Sequence, residues 1–175
     1  MASGPQPQTI LISTYDDNGN RLTLDDGTST IDYLYDPLNR LTDVGRAGQM
    51  VTFGYDPLSR RTLTTFPNGL ESVLSYDDAS QLQTLTHRVA AAPATIIASS
   101  AYTYDAVGNR DTFTDLAGAH AFGYDALNRL TSASHPVASG LPAETYSYDG
   151  VGNRQSSHLS TSHTHDDANR LLEDD

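Results

Sequence analysis

The segment Tyr124-Asp125-Ala126-Leu127-Asn128-Arg129-Leu130-Thr131 contains a complete structural instruction. An aromatic residue suited to a strand is followed by an Asp that can accept amide hydrogen bonds from two or three residues on. Asn then takes φ above zero, and Arg-Leu-Thr starts an extended return. Two residues upstream, Phe122 shares a strand face with Tyr124, because an extended chain alternates sides. That is a hairpin with a reason behind each position.

The same phrase returns along the whole chain: Tyr15-Asp16, Tyr35-Asp36, Tyr55-Asp56, Tyr76-Asp77, Tyr104-Asp105, Tyr124-Asp125, Tyr148-Asp149 and the altered copy His165-Asp166. An arginine follows in seven copies, at Arg21, Arg40, Arg60, Arg110, Arg129, Arg154 and Arg170, and Gln81 stands in the fourth. The steps are 20, 20, 21, 28, 20, 24 and 17 residues. A fixed period of this kind means one supersecondary unit stacked many times. The long steps fall at Val89 to Ser100 and Ser134 to Ala143, which read as enlarged loops. Further aromatic pairs two apart, Tyr33 with Tyr35, Phe53 with Tyr55, Tyr102 with Tyr104 and Tyr146 with Tyr148, give each unit a short ladder of rings.

The expected fold is therefore all-β, a repetitive antiparallel hairpin meander of about sixteen short strands, forming a curved or spiral sheet. Its expected organisation is a lead-in over 1–12, eight hairpin units over 13–172 and a tail over 173–175. No stretch of a dozen residues carries an uninterrupted helical apolar stripe.

Composition narrows the function. The 175 residues carry 22 acidic and 10 basic side chains, a net charge of −12, and every base is Arg. That balance argues against nucleic acid as a partner, since phosphate attraction dominates such binding. There is no cysteine, hence no disulfide or thiolate metal site. No run approaches the length of a membrane span, and the N-terminal residues lack the basic start and apolar run of a secretory signal. Ten Tyr against four Phe and no Trp leave little to fill a wide interior.

The phrases at Tyr35 to Thr42, Tyr104 to Arg110 and Tyr124 to Thr131 resemble the YD repeat of Rhs proteins, found also in insecticidal toxin-complex components, wall-associated proteins and teneurins. The resemblance covers roughly Ser13 to Leu172. It implies a β-sheet that winds into part of a hollow YD-repeat shell. In bacterial members such shells enclose a toxic domain until delivery, and in teneurins a related shell serves adhesion. The implied function is a non-catalytic wall segment of a secreted, delivered or cell-surface protein. The partners this implies are further YD repeats, a second copy joined through sheet edges, an enclosed toxin domain, or a glycan on the aromatic ladder. No cofactor is expected. The aspartyl self-cleavage segment of the family has no counterpart here.

The repeat-defining residues are Tyr15, Asp16, Arg21, Tyr35, Asp36, Arg40, Tyr55, Asp56, Arg60, Tyr76, Asp77, Tyr104, Asp105, Arg110, Tyr124, Asp125, Arg129, Tyr148, Asp149 and Arg154. Their recurrence at every unit suits scaffolding, because a ligand site would single out a few copies. Rings can ladder across hairpins, Asp can close each turn, and Arg can pair with Asp or stack on a neighbouring Tyr. Two other constellations bear on metal binding. His158, His163 and His165 cluster near the C-terminus, but His163 and His165 occupy the two aromatic positions of the eighth copy and read as replaced tyrosines. Asp16-Asp17-Asn18-Gly19-Asn20 and Asp25-Asp26-Gly27 are acidic turns without the twelve-residue loop of an EF-hand, and read as solvated turns. No nucleophile elbow or Lys-bearing phosphate loop occurs, and the six His are scattered, so no catalytic or metal residue is assigned.

Overall fold

The structure, a computed structural model, describes residues 10–174. Of the expected lead-in, residues 1–9 lie outside the described residues; Ile10 and Leu11 precede the first strand. Sixteen strands follow in chain order. They are β1 (Ile12–Tyr15), β2 (Arg21–Asp25), β3 (Thr30–Tyr35), β4 (Leu41–Arg46), β5 (Gln49–Tyr55), β6 (Arg61–Thr65), β7 (Leu70–Tyr76) and β8 (Leu82–Val89). They continue with β9 (Ala92–Tyr104), β10 (Arg110–Asp115), β11 (Gly118–Tyr124), β12 (Leu130–Ser134), β13 (Glu144–Tyr148), β14 (Arg154–Ser157), β15 (His163–His165) and β16 (Leu171–Asp174). Strands β1 to β14 form one sheet in sequence order, and β15 pairs with β16 separately. Every register given is antiparallel, as the fold class from sequence requires.

The chain divides into two compact units, one made of Met1–Ser75 with Thr86–Ile97 and the other of Tyr76–Leu85 with Ala98–Asp175. In the first, β3 alternates half-buried and exposed side chains, with Tyr33 and Tyr35 inward and Asp32 and Leu34 outward. Thr64 and Ser72, paired across β6 and β7, are buried, and Ser72 Oγ lies 2.8 Å from His87 Nδ1. In the second, Tyr102, Tyr146 and Tyr148 are likewise half-buried while Thr103 and Ser147 face outward. Among the described residues Ala133, 3% exposed, is the one apolar residue that is buried. A sheet with so few buried apolar groups must be held largely by its ladder and by side-chain contacts between repeats.

One expected loop is not a loop. Val89 ends β8, Ala90 and Ala91 turn, and β9 then runs thirteen residues from Ala92 to Tyr104. Thr95, Ile96 and Ile97 favour extended backbone, so the insertion lengthens a hairpin; at its tip, Ala90 N–H donates to Gly69 O at 2.9 Å. The second insertion does loop out, through a single 3-10 turn at Val137–Ser139 closed by Gly140 at φ 70°.

A recurrent irregularity sets each unit. In seven of the strand pairs the register slips by one residue just after the turn, as where Tyr35 faces Leu41 but Leu34 faces Asp43. The same step occurs at Tyr15, Tyr55, Tyr104, Tyr124, Tyr148 and His165. A bulge of this kind leaves one residue unpaired and increases local twist.

Candidate functional site: the turn ladder and a buried histidine pair

All eight turns, seven Tyr-Asp and the His165-Asp166 copy, share one geometry. The Asp N–H donates to the carbonyl four residues on, at 2.9–3.0 Å, and the residue three on returns its N–H to the Asp carbonyl. That third residue always has positive φ: Gly19, Asn39, Ser59, Ser80, Gly108, Asn128, Gly152 and Asn169. The sequence supplies Gly, Asn or Ser there because other side chains are strained in this region. Asp Oδ1 accepts the N–H four residues on in every turn, for example Arg40 N–H at 3.0 Å and Asn109 N–H at 2.8 Å.

Seven of the turns, all but the one at Asp77 where Gln81 stands, fall into two kinds by what meets Asp Oδ2. In one, the next-to-follow residue is Arg, and Arg40, Arg60, Arg129 and Arg170 each bring Nε to 2.7 Å. In the other it is Asn, and Asn20, Asn109 and Asn153 each bring Nδ2 to 2.9 Å. These groups hold the carboxyls below the usual carboxylate range. The Arg40 side chain is the main cause at Asp36, the Asn20 side chain at Asp16 and the backbone amide of Arg129 at Asp125.

The same side chains reach the following turn. Asn20, Asn109 and Asn153 donate Nδ2 to the Oδ1 of Asn39, Asn128 and Asn169 at 2.8, 2.9 and 3.0 Å. Arg40 Nη1 donates to Asp56 O and Ser59 Oγ, both at 3.2 Å, and Arg129 Nη1 to Asp149 O at 3.1 Å. Arg40 and Arg129 also lie over the rings of Tyr55 and Tyr148 at 4.7 and 4.6 Å. Four Tyr hydroxyls then donate back across the repeat: Tyr55 to Leu41 O, Tyr104 to Leu82 O, Tyr124 to Arg110 O and Tyr148 to Leu130 O, at 2.8–3.0 Å. The acceptor is the first residue after the turn, where the bulge begins. Arg21 and Arg110 instead cover Tyr33 and Tyr102, at 5.9 and 4.8 Å.

This rung has a signature in the sequence. Wherever Asn stands four residues after Asp, the next turn carries Asn at its positive-φ position; where Arg stands there, the next turn carries Ser59, Ser80 or Gly152. A short amide needs an acceptor side chain opposite it, whereas Arg reaches a backbone carbonyl.

Other sequence candidates are placed as follows. Asp16 uses Oδ1 for Asn18 and Asn20 amides and Oδ2 for the Asn20 side chain. Asp26 accepts the amides of Thr28 and Ser29 at 2.9 Å, which chiefly bring its carboxyl down to about 2, with Arg46 3.3 Å away. His158 meets the Tyr146 ring edge-on at 6.0 Å, and His163 is buried in β15. Among the described residues no three His, Asp or Glu gather as a metal-holding group. Tyr104, Phe122 and Tyr124, with Arg110, Gly108 and Leu130, line an open recess of about 410 Å³.

The view of the histidines as scattered does not hold. His120, 4% exposed, and His135 bring their Nδ1 atoms to 2.7 Å. The pair extends at both ends: His135 Nε2 lies 3.1 Å from Glu144 Oε1, Tyr146 donates its hydroxyl to Glu144 Oε2, and His120 Nε2 is 3.6 Å from Asp115 Oδ2. Phe113 and Tyr102 continue the stack from His120 at 5.0 and then 5.4 Å. The Tyr146 bond, then His135, hold Glu144 below the usual range, and Glu144 in turn raises Tyr146. His120 and His135 are fifteen residues apart in the sequence, on no shared motif, so only strand register joins them.

A model of the Rhs repeat matches residues 35–71, two consecutive Tyr-Asp turns' worth of chain. Residues 35–71 carry an Rhs repeat. Solved structures similar to this chain agree in fold. They include the TcdB2-TccC3-Cdc42 complex, at TM-score 0.75 and 20% identity, and the Photorhabdus luminescens Tc holotoxin pore with a TccC3 point variant, at the same values. A third is TcdB2-TccC3-TEV, at TM-score 0.74 and 21% identity. Each alignment covers 93% of this chain and 10% of the other, so the chain spans about a tenth of those chains' length. No curated protein matches it by sequence. No helix among the described residues is long and apolar enough to cross a membrane.

Proposed function

We propose that this chain is a non-catalytic wall segment of an Rhs-type shell, belonging to a secreted or delivered bacterial toxin or wall-associated protein and enclosing a toxin domain. The observation that carries this reading is that the repeat-defining side chains are spent on one another. Asp closes its own turn, Asn or Arg four residues on grips the next turn, and Tyr hydroxyls return to the preceding repeat. A wall needs contacts of this kind, made identically at each step; a catalyst needs one constellation that differs from the rest.

The test is a chimera in which this segment replaces the aligned repeats of the TcdB2-TccC3 shell, with protease protection of the enclosed region as readout. Retained protection supports the wall; a digested interior overturns it.

Partners follow from the same reading. β1 is terminal in the strand order, and Ile10, Leu11 and Ile12 near it are 61–69% exposed. An edge of this kind templates further pairing, so it is assigned to another YD repeat or to a second copy of the chain. Sedimentation velocity over a hundredfold concentration range should show association; a monomer throughout would remove the second-copy arm.

A second reading rests on the recess at Tyr104, Phe122 and Tyr124. Three rings beside Arg110 form a platform for a sugar face, which would make the segment an adhesion or glycan-binding module. Glycan-array binding lost in Tyr124→Ala would favour it, and a blank array would dismiss it.

A further inference from the structure

We propose that His120 and His135 form an acid-sensitive clasp that holds the start of the Pro136–Ala143 insertion against β11 and releases it when both rings carry an added proton. The pairing of β11 with β12 brings Ala121 opposite Ser134, and one step further His120 meets His135, immediately before Pro136. Pro136 in turn packs so closely on the β10–β11 turn that a Cβ on Gly118 would lie 2.8 Å from its Cβ. The clasp therefore sits where the insertion leaves the sheet.

Proton positions follow from the partners. A carboxylate only accepts, so the 3.1 Å contact with Glu144 Oε1 puts a hydrogen on His135 Nε2. Neutral His135 then has a bare Nδ1, and the 2.7 Å contact requires His120 Nδ1–H to donate to it. That leaves His120 Nε2 bare, buried without a hydrogen-bond partner and 3.6 Å from Asp115 Oδ2. A first added proton has a seat there, between imidazole and carboxylate. A second has none, because it must go to His135 Nδ1, and two N–H groups cannot face each other at that separation.

The surroundings give the open form its own support. Asp115 on β10 remains as counter-ion to His120 and Glu144 on β13 as counter-ion to His135, so the doubly charged state is two ion pairs with mutually repelling inner faces. Phe113 on β10, 5.0 Å from His120, and Tyr102 beyond it add no charge. Tyr146 on β13 donates to Glu144, and His158, edge-on to Tyr146, brings further positive charge toward Glu144 when protonated, opposing a charged His135. Arg154 on β14 acts on Tyr146 through its charge. Two arrangements of the same residues, chosen by proton number, make a histidine switch.

The experiment uses the whole chain. Nitrogen-15 spectra of the histidine rings at pH 7.5 should show His120 as the Nδ1–H tautomer and His135 as the Nε2–H tautomer. Amide exchange at Ser139 and Gly140, corrected for intrinsic rates, should lose protection by roughly tenfold overall as the pH falls from 7.5 to 5. His120→Phe, which keeps a ring against Phe113, should abolish that pH step. Protection that is independent of pH between 7.5 and 5, or an unchanged step in His120→Phe, would overturn the clasp. Should that variant fail to fold, identical tautomers on the two wild-type rings would overturn it alone.

Discussion

Arg129 lies with its guanidinium carbon 4.6 Å above the ring of Tyr148, nineteen positions further on, while its Nε holds Asp125 Oδ2 at 2.7 Å. One side chain thus closes its own turn and clamps the next. A double-mutant cycle with Arg129→Gln and Tyr148→Leu, read by urea denaturation, should give a coupling energy of about 0.5–1 kcal/mol, the range of a half-exposed cation–π pair. Arg129→Lys should not restore it, since an ammonium cannot bond Asp125 sideways and lie flat on a ring. A coupling energy of zero would show that the stack is incidental.

Tyr148 also donates its hydroxyl to Leu130 O at 2.8 Å. Tyr148→Phe keeps the ring under Arg129 and removes only that bond, so the expected loss is about 1 kcal/mol in the same titration. A neutral substitution would mean that water replaces the bond at no cost.

The positive-φ position has two duties in the Asn-type turns, and they separate by mutation. Asn128, at φ 61°, accepts from Asn109 at 2.9 Å. Asn128→Gly loses the rung but keeps an easy backbone; Asn128→Ala loses both and should be less stable than the glycine variant by about 1 kcal/mol. Gly152, at φ 98° with open space around it, isolates the backbone part, and Gly152→Ala should cost about 1–2 kcal/mol. Equal thermal midpoints for the two Asn128 variants would contradict the assignment.

Acid should dissolve the ladder. Asp16, Asp36, Asp125 and Asp166 all have folded values below the ordinary Asp value near 3.8, and Asp26 lies at about 2. The unfolded chain then binds more protons than the folded chain at low pH, so this contribution is complete above the ordinary value and disappears as pH falls through the depressed ones. Thermal midpoints should be level, as far as these carboxyls are concerned, down to about pH 4 and decline toward pH 2. A midpoint that rose on acidification below pH 4 would reverse the sign and refute the assignment.

Much of the fold was written locally. Tyr-Asp, a positive-φ residue three positions after the Asp and an Arg close behind it are contiguous, and each acts through its own few neighbours; hence the turn at Asp125 to Arg129 is legible from eight letters. The ladder lay in the sequence as well, as the correlation between Asn at one turn and Asn at the next, but finding it needed knowledge of which repeat faces which. Over Val89 to Ser100, Ala, Ser and Pro suggest a loop, whereas pairing with neighbouring strands overrides that local preference and extends β9.

The sequence alone determined the period, the strand-turn-strand unit and the all-β class, because those rest on backbone preferences acting over five or six residues. Tertiary structure alone decided which side chains meet across repeats: Arg40 with Tyr55, Tyr148 with Leu130, and above all His120 with His135. Such meetings depend on register, and a slip of one residue at a single bulge would turn every later side chain of that strand to the other face.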